Sequence, residues 1–278
     1  MSRSMKEVAE KLQELTRRAR ESTSGIKEVI IIMSGKGGVG KSVVSSALAI
    51  ALAEDNRNVA VLDADFHGPS IPWLLGVEEE RMMADEEGRI YPVEAGNVKV
   101  VSAELALDKK ELPIIWRGPL KTRAVLDLLA LVKWGTLDYL LVDLPPGMGD
   151  EAQTVVRYLK HIPLKAVLVM IPGRMVRHIV KKSQNFARMM GVEILGGIVN
   201  MAYFRCPYCG KTTNIFGYER LENIEIIAEL PLDGTVAELA NKGKLRELFL
   251  KEEYKRLEWV SKIREASKKI AGEGVGQE

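Results

Sequence analysis

Cysteine is nearly absent from this chain: 278 residues contain two, both in "CPYCG" at 206–210. Histidine is almost as scarce, with His67, His161 and His178 all distant from that pair in sequence. Neither sign of charge is in excess. Forty basic and 38 acidic residues are well mixed and leave a formal charge of +2. That balance implies no basic face, so no nucleic-acid partner is expected. No apolar run approaches the roughly 20 residues of a membrane span, so no membrane partner is expected either. The opening stretch "MSRSMKEVAEKLQELTRRARES" is too charged for a signal peptide. A cytoplasmic location is the expectation, and there disulfides rarely persist. This weighs against a structural disulfide between Cys206 and Cys209.

What is present is the composition of a globular protein, 46% hydrophobic and 28% charged. Its length is near the upper end for one α/β domain. Met5, Val8, Leu12, Leu15 and Ala19 form an apolar seam at helical spacing, predicting a helix over 3–21 that "STSG" (22–25) ends. This segment, 1–24, reads as a helical extension, docked on the domain of 25–270 or, as the alternative, a partner-binding arm. Within that domain, apolar runs at 29–33, 58–65, 97–107, 138–145, 165–172, 193–204 and 223–231 predict strands. Helical patterns occupy 42–55, 120–132, 174–190 and the tail from Val236. The fold class expected is α/β: a single P-loop NTPase domain, its sheet mostly parallel with helices on both faces, plus N- and C-terminal helices.

"GKGGVGKS" (35–42) fits G-x-x-x-x-G-K-[ST], between a predicted strand and a predicted helix. Gly35, Gly37, Gly38 and Gly40 let the backbone curl so that its N–H groups, Val39's included, face a phosphate. The helix N-terminus adds positive potential. Lys41 is placed to reach the β- and γ-phosphates, and Ser42 to ligate Mg²⁺. "VLDADFHGPS" (61–70) adds two acids at a strand's C-terminal end: Asp63 near Mg²⁺, Asp65 to orient or deprotonate a water. Asp143, in "LLVDLPPGMGD" (140–150), would hold the metal through water. Asn200 is a candidate for reading adenine, and Pro231 and Asp233 for lining the base. Lys36 is either a surface charge or an extra catalytic cation. In the second reading it resembles the "deviant" Walker A lysine of the MinD, ParA and nitrogenase iron protein superfamily, which crosses a dimer interface to the partner's nucleotide.

Taken in order, "SGKGGVGKS", "LDADFHGPSIPWLLG", "IWRGPLK", "WGTLDYLLVDLPPGMGDE", "NMAYFRCPYCGK" and "IFG" resemble the Mrp family of ATP-binding iron–sulfur cluster carriers, over roughly residues 26–245. The resemblance implies a homodimer, ATP and Mg²⁺ in each subunit, and a [4Fe–4S] cluster shared by two C-x-x-C pairs. Apo iron–sulfur proteins would be the acceptors, and slow ATP hydrolysis would be coupled to transfer. The chain departs from the family pattern at Val43, where Thr is usual beside the α-phosphate, at Ile179, which stands where an Asp is usual, and in "YERLENIEII".

"CPYC" is also the active-site string of glutaredoxins, where a helix follows. Here "GKTTN" follows and suggests a turn or knuckle. Iron–sulfur and zinc sites both want four soft ligands, and a two-fold dimer would bring Cys206 and Cys209 together with a second pair. Zn²⁺ therefore stays open as an alternative. So do two other functions: a MinD- or ParA-like positioning switch, and a zinc-bridged scaffold that only binds nucleotide. For the switch, the apolar stripe Leu250, Tyr254, Leu257, Val260, Ile263 and Ile270 would have to meet a membrane rather than its own domain.

Overall fold

Strands that are apolar on both faces need a helical layer on each side, and two such layers form. A computed structural model describes residues 3–106, 118–147, 149–173, 176–217 and 224–273. β1 (Ile26–Met33) shows the principle: Ile30 and Ile32 enter one core, while Val29, Ile31 and Met33 enter the other. The first core is closed by α2 (Lys41–Glu54), α3 (Ile71–Leu75), α7 (Gly234–Asn241) and α10 (Glu258–Ile270), with the one-turn helices α8 (Glu247–Leu250) and α9 (Glu252–Lys255) between the last two. The second is closed by α1 (Arg3–Ser22), α4 (Gly118–Leu131), α5 (Asp150–Leu159) and α6 (Val176–Met190).

The remaining strands are β2 (Val59–Asp63), β3 (Val93–Ala95), β4 (Val98–Ser102), β5 (Leu137–Asp143), β6 (Leu164–Met170), β7 (Glu193–Arg205), β8 (Thr212–Thr213) and β9 (Ile226–Pro231). The sheet runs β3-β4-β2-β5-β1-β6-β7, and β9 pairs with β7. It is parallel except for β3 against β4 and β8 against β7. Because β5 lies between β1 and β2, its last residue, Asp143, pairs with Ile32 on one side and Asp63 on the other. Strand order thus gathers the acids beside the loop that leaves β1.

α1 docks on its own domain. Leu15 and Ala19 are buried, the Ser22 hydroxyl donates to the Val132 carbonyl at 2.5 Å, and Thr23 Oγ1 lies 3.2 Å from His161 Nε2. The C-terminal stripe does the same: Val260, Ile263 and Ile270 are buried, Tyr254 and Leu257 pack beside them, and only Leu250 of the six stands exposed. Among the described residues no helix is long and apolar enough to cross a membrane. The expected strands form within a few residues of their predicted limits. α5, α3 and the three-residue β3 are additional elements. Parts of the expected strands at 97–107 and 223–231 and of the expected helix at 174–190 fall outside the described residues.

Candidate functional site

The phosphate loop links β1 to α2. Gly38 and Gly40 take left-handed φ of +77° and +78°, conformations costly for any residue with a Cβ. Gly40 also serves as the N-cap of α2 without a side-chain cap, so the first N–H groups of the helix keep their anion-binding capacity. Its missing Cβ has a second use. A Cβ there would lie 2.3 Å from Asn200 Nδ2. The Asn200 amide instead donates to the Val39 carbonyl at 2.9 Å and is buried, tying β7 to the loop. At the other end of the loop, a Cβ on Gly35 would lie 2.3 Å from Ile179 Cγ2, so α6 abuts the loop directly.

Lys41 and Asp143 form a buried ion pair, Nζ to Oδ2 at 2.6 Å, and the Ser42 hydroxyl donates to the same oxygen at 2.7 Å. Asp143 Oδ1 is enclosed and lacks a hydrogen-bond partner among the described residues. Asp63 is fixed by its own loop: Oδ1 accepts from the Asp65 N–H at 3.1 Å, and Oδ2 from the Ser70 and Ile71 N–H groups at 3.0 and 3.2 Å. Burial raises the pKa of both carboxyls above the usual range; for Asp63 the Asp143 charge adds to it, and for Asp143 burial outweighs the Lys41 ammonium. Two buried carboxyls, one of them with an unpartnered oxygen, and a hydroxyl are a hard-donor set, and it fits Mg²⁺. Asp65, half-buried, lines the same cleft.

That cleft has a volume of about 390 Å³. The loop from Lys36 to Val43 forms one part of it, and Trp73, Leu74, Ala240 and Asn241 form another. Lys36 is exposed at its edge. Of the three residues expected at the base, Asn200 donates through Nδ2 to the Val39 carbonyl, Asp233 Oδ1 caps α7 by accepting from the Thr235 and Val236 N–H groups at 2.8 and 3.2 Å, and Pro231 is buried at the end of β9. None of the three is among the residues lining the cleft. Trp73, which composition and motif reading passed over, is.

The cysteines sit at the far end of β7. Pairing with β6 ends at Val199, after which β7 runs on past it. Met201 turns to a φ of +53° where the register with β9 shifts. The extension is anchored to α10: the Tyr203 hydroxyl donates to Glu258 Oε1 at 2.7 Å, and Arg205 pairs with Glu258 Oε2 at 3.1 Å. β7 then turns into β8 through a knuckle. The Cys206 N–H donates to the Lys211 carbonyl and the Gly210 N–H to the Cys206 carbonyl, both at 2.9 Å, with Gly210 at φ +69°. The backbone N–H of Cys209, then that of Tyr208, and the Cys209 thiol hold the Cys206 thiol below the usual thiol range. Cys206 is half-buried, Cys209 exposed, and they are not bonded to each other. No group of three or more His, Cys, Asp or Glu side chains placed to hold a metal ion occurs among the described residues. The turn thus presents two free thiols side by side, with its backbone N–H groups favouring the thiolate of Cys206.

The chain is 42% identical over 247 residues to a protein named iron-sulfur cluster carrier protein in Methanocaldococcus jannaschii, spanning 86% of this chain and 85% of that one. The protein of the same name in Saccharolobus solfataricus is 39% identical over 248 residues, spanning 87% and 83%. Among solved structures, a nucleotide-binding protein from Archaeoglobus fulgidus in complex with ADP superposes with a TM-score of 0.73 at 38% identity, over 84% of this chain and 93% of that one. The septum site-determining protein MinD of Pyrococcus horikoshii shares the fold, with a TM-score of 0.61 at 23% identity over 89% and 98%. The family described as the NUBPL iron-transfer P-loop NTPase, of the ParA group, matches residues 25–271, a span that takes in the loop, the acids and the knuckle, and this chain belongs to that family.

Proposed function

We propose that the protein is an ATP-dependent carrier that holds a [4Fe–4S] cluster as cargo between two copies of itself and passes it to apo iron–sulfur proteins. The observation that carries this reading is the knuckle. It stabilises a thiolate, presents a second, exposed thiol beside it, and has no third ligand near it among the described residues. Two-fold symmetry supplies the other pair, and a cluster held at an exposed seam is accessible to an acceptor. The names of the relatives point the same way.

In the nucleotide site, Lys41 and the loop N–H groups bind the phosphates, and Ser42, Asp63 and Asp143 would hold Mg²⁺. The metal, when bound, neutralises charge on the β- and γ-phosphates. For Lys41 to reach the phosphates, nucleotide binding must break its ion pair with Asp143. Asp65 orients or deprotonates the attacking water. Lys36, free to reach outward, serves the partner's nucleotide. Turnover is slow, because the work is positioning and charge stabilisation.

The test is anaerobic loading with ferrous iron and sulfide, with mass measured in solution. Wild type should become a coloured dimer with about two irons per chain, as a shared four-iron cluster requires. Cys206→Ser should lose the iron and keep ATP binding; iron retained at wild-type stoichiometry would refute the assignment. The same knuckle suits zinc. A colourless dimer with about one Zn²⁺ per two chains would favour that reading instead.

A further inference from the structure

Charge is balanced over the chain as a whole but not along α6. Its 15 residues carry Arg177, Lys181, Lys182 and Arg188 and no acid. Lysines elsewhere on the surface are paired one turn away, Lys242 with Glu238 and Lys251 with Glu247. Lys181 and Lys182 are exposed and make no ion pair among the described residues. A helix face of one sign in a chain of mixed sign is a surface suited to a partner of the opposite sign.

That face borders a hollow of about 370 Å³ between α6 and the phosphate loop. Its floor is apolar and includes Val39, Met170, Val176 and Ile179. Ile179 stands where the family pattern has an Asp, so the floor is apolar where that pattern places an acid. Among the described residues lining the hollow, the ionisable side chains are Lys36, His178 and Lys182. Lys36 belongs to the loop and is assigned above to the partner's nucleotide. His178 and Lys182, both exposed, belong to α6. Ile171, Pro172, Gly173 and Val176 line a second hollow as well, of about 580 Å³, which runs on to Arg205, Thr212 and Asn214 beside the cysteine knuckle. The charged residues of this second stretch, Arg205 and Glu229, are of both signs, so the positive excess lies at the α6 end. The two hollows share a wall and form one groove from α6 to the cysteines.

We infer that this groove is the docking surface for an acceptor protein: an acidic stretch of the acceptor lies along α6, an apolar side chain of it enters the hollow over Ile179, and the rest follows the groove to Cys206 and Cys209. Charge complementarity selects the occupant. An apolar floor accepts any apolar side chain, but a rim of lysine with no acid discriminates in favour of carboxylates beside it. The inference rests on the carrier reading above and adds to it the chemistry of the surface that receives the cargo.

The test follows cluster transfer optically from the loaded carrier to apo-ferredoxin, used as an acidic [4Fe–4S] acceptor, against acceptor concentration. Lys182→Glu, and separately His178→Glu, should raise the half-saturating concentration at least about tenfold, with iron loading and ADP affinity as in wild type. Lys182→Arg should transfer as wild type does. Lys268→Glu makes the same charge change at an exposed site on α10, in the other helical layer, and should stay within about twofold of wild type. In the unloaded chain, the methyl signals of Val176 and Ile179 should shift when apo-ferredoxin is added. Unchanged half-saturation in both Lys182→Glu and His178→Glu, or methyl signals that do not move, overturns the inference. Equal weakening by Lys268→Glu would reduce the effect to net charge, and a changed dimer mass in Lys182→Glu would assign the face to a second copy; either result also overturns it. Wild type that loads iron but delivers none to apo-ferredoxin overturns the docking surface and leaves cluster carriage standing, whereas wild type that loads no iron refutes the carrier reading itself.

Discussion

At the residue scale, Gly40 and Asn200 form one device. A missing Cβ makes room for an amide, and that amide holds the loop's Val39 carbonyl. Gly38 has the same positive φ but open space where its Cβ would be. Gly40→Ala should therefore damage nucleotide binding far more than Gly38→Ala. Backbone strain of about 1–2 kcal/mol is common to both, but only Gly40→Ala also displaces Asn200. Titration with ADP should show at least a further fivefold loss for Gly40→Ala, about 1 kcal/mol. A second prediction concerns Cys206. Its pKa is lowered by N–H groups that exist only in the folded knuckle, so its thiolate persists to lower pH than in the unfolded chain. The rate of iodoacetamide alkylation against pH, followed on Cys206 in the Cys209→Ser protein, should inflect at lower pH natively than in urea. Coincident profiles would mean the knuckle does not favour the thiolate.

At the scale of elements, α1 behaves as a structural strut. Leu15 and Ala19 face α4 and α5, and the Ser22 and Thr23 hydroxyls reach Val132 and His161. Leu15→Ala should cost about 2–3 kcal/mol, the ordinary penalty for a large-to-small change in a core. A shift in the urea midpoint with unchanged ADP affinity would confirm that the helix supports the domain without entering the site. The strands were legible because each is a short apolar run set off by turns. α5 was legible too, yet went unread. Ala152, Val155, Val156 and Leu159 have helical spacing and are all buried, with Asp150 and Glu151 in the first turn. α3 has five residues and β3 has three, too few for any period to show.

For the molecule as a whole, the division between what could and could not be read follows sequence distance. The loop and the knuckle are contiguous strings, and both were found as strings. The meeting of Asp63 with Asp143 depends on β5 inserting between β1 and β2, which no local pattern encodes. The cleft wall of Trp73 and Ala240 joins residues separated by 167 positions, so only the packed fold assembles it. A prediction at this scale tests the proposed dimer. Lys36→Ala should lower turnover more than nucleotide affinity, and mixing it with Lys41→Ala should restore part of the activity, since the Lys41→Ala subunit would lend its Lys36 to the intact phosphate site of the Lys36→Ala subunit. No recovery in the mixture would argue against exchange across an interface. A last consequence concerns β7, the strand that carries Asn200 at the loop and leads to Cys206 about 20 Å further along at the usual rise per residue. Side chains on an extended strand alternate sides, so the count of residues between these two points has parity. One residue added between Ala202 and Arg205 would turn the sulfurs to the reverse side while the phosphate loop stayed intact, whereas two would restore their orientation and merely lengthen the arm. Odd and even insertions thus ask whether the cargo site must face a particular way, or only lie within reach.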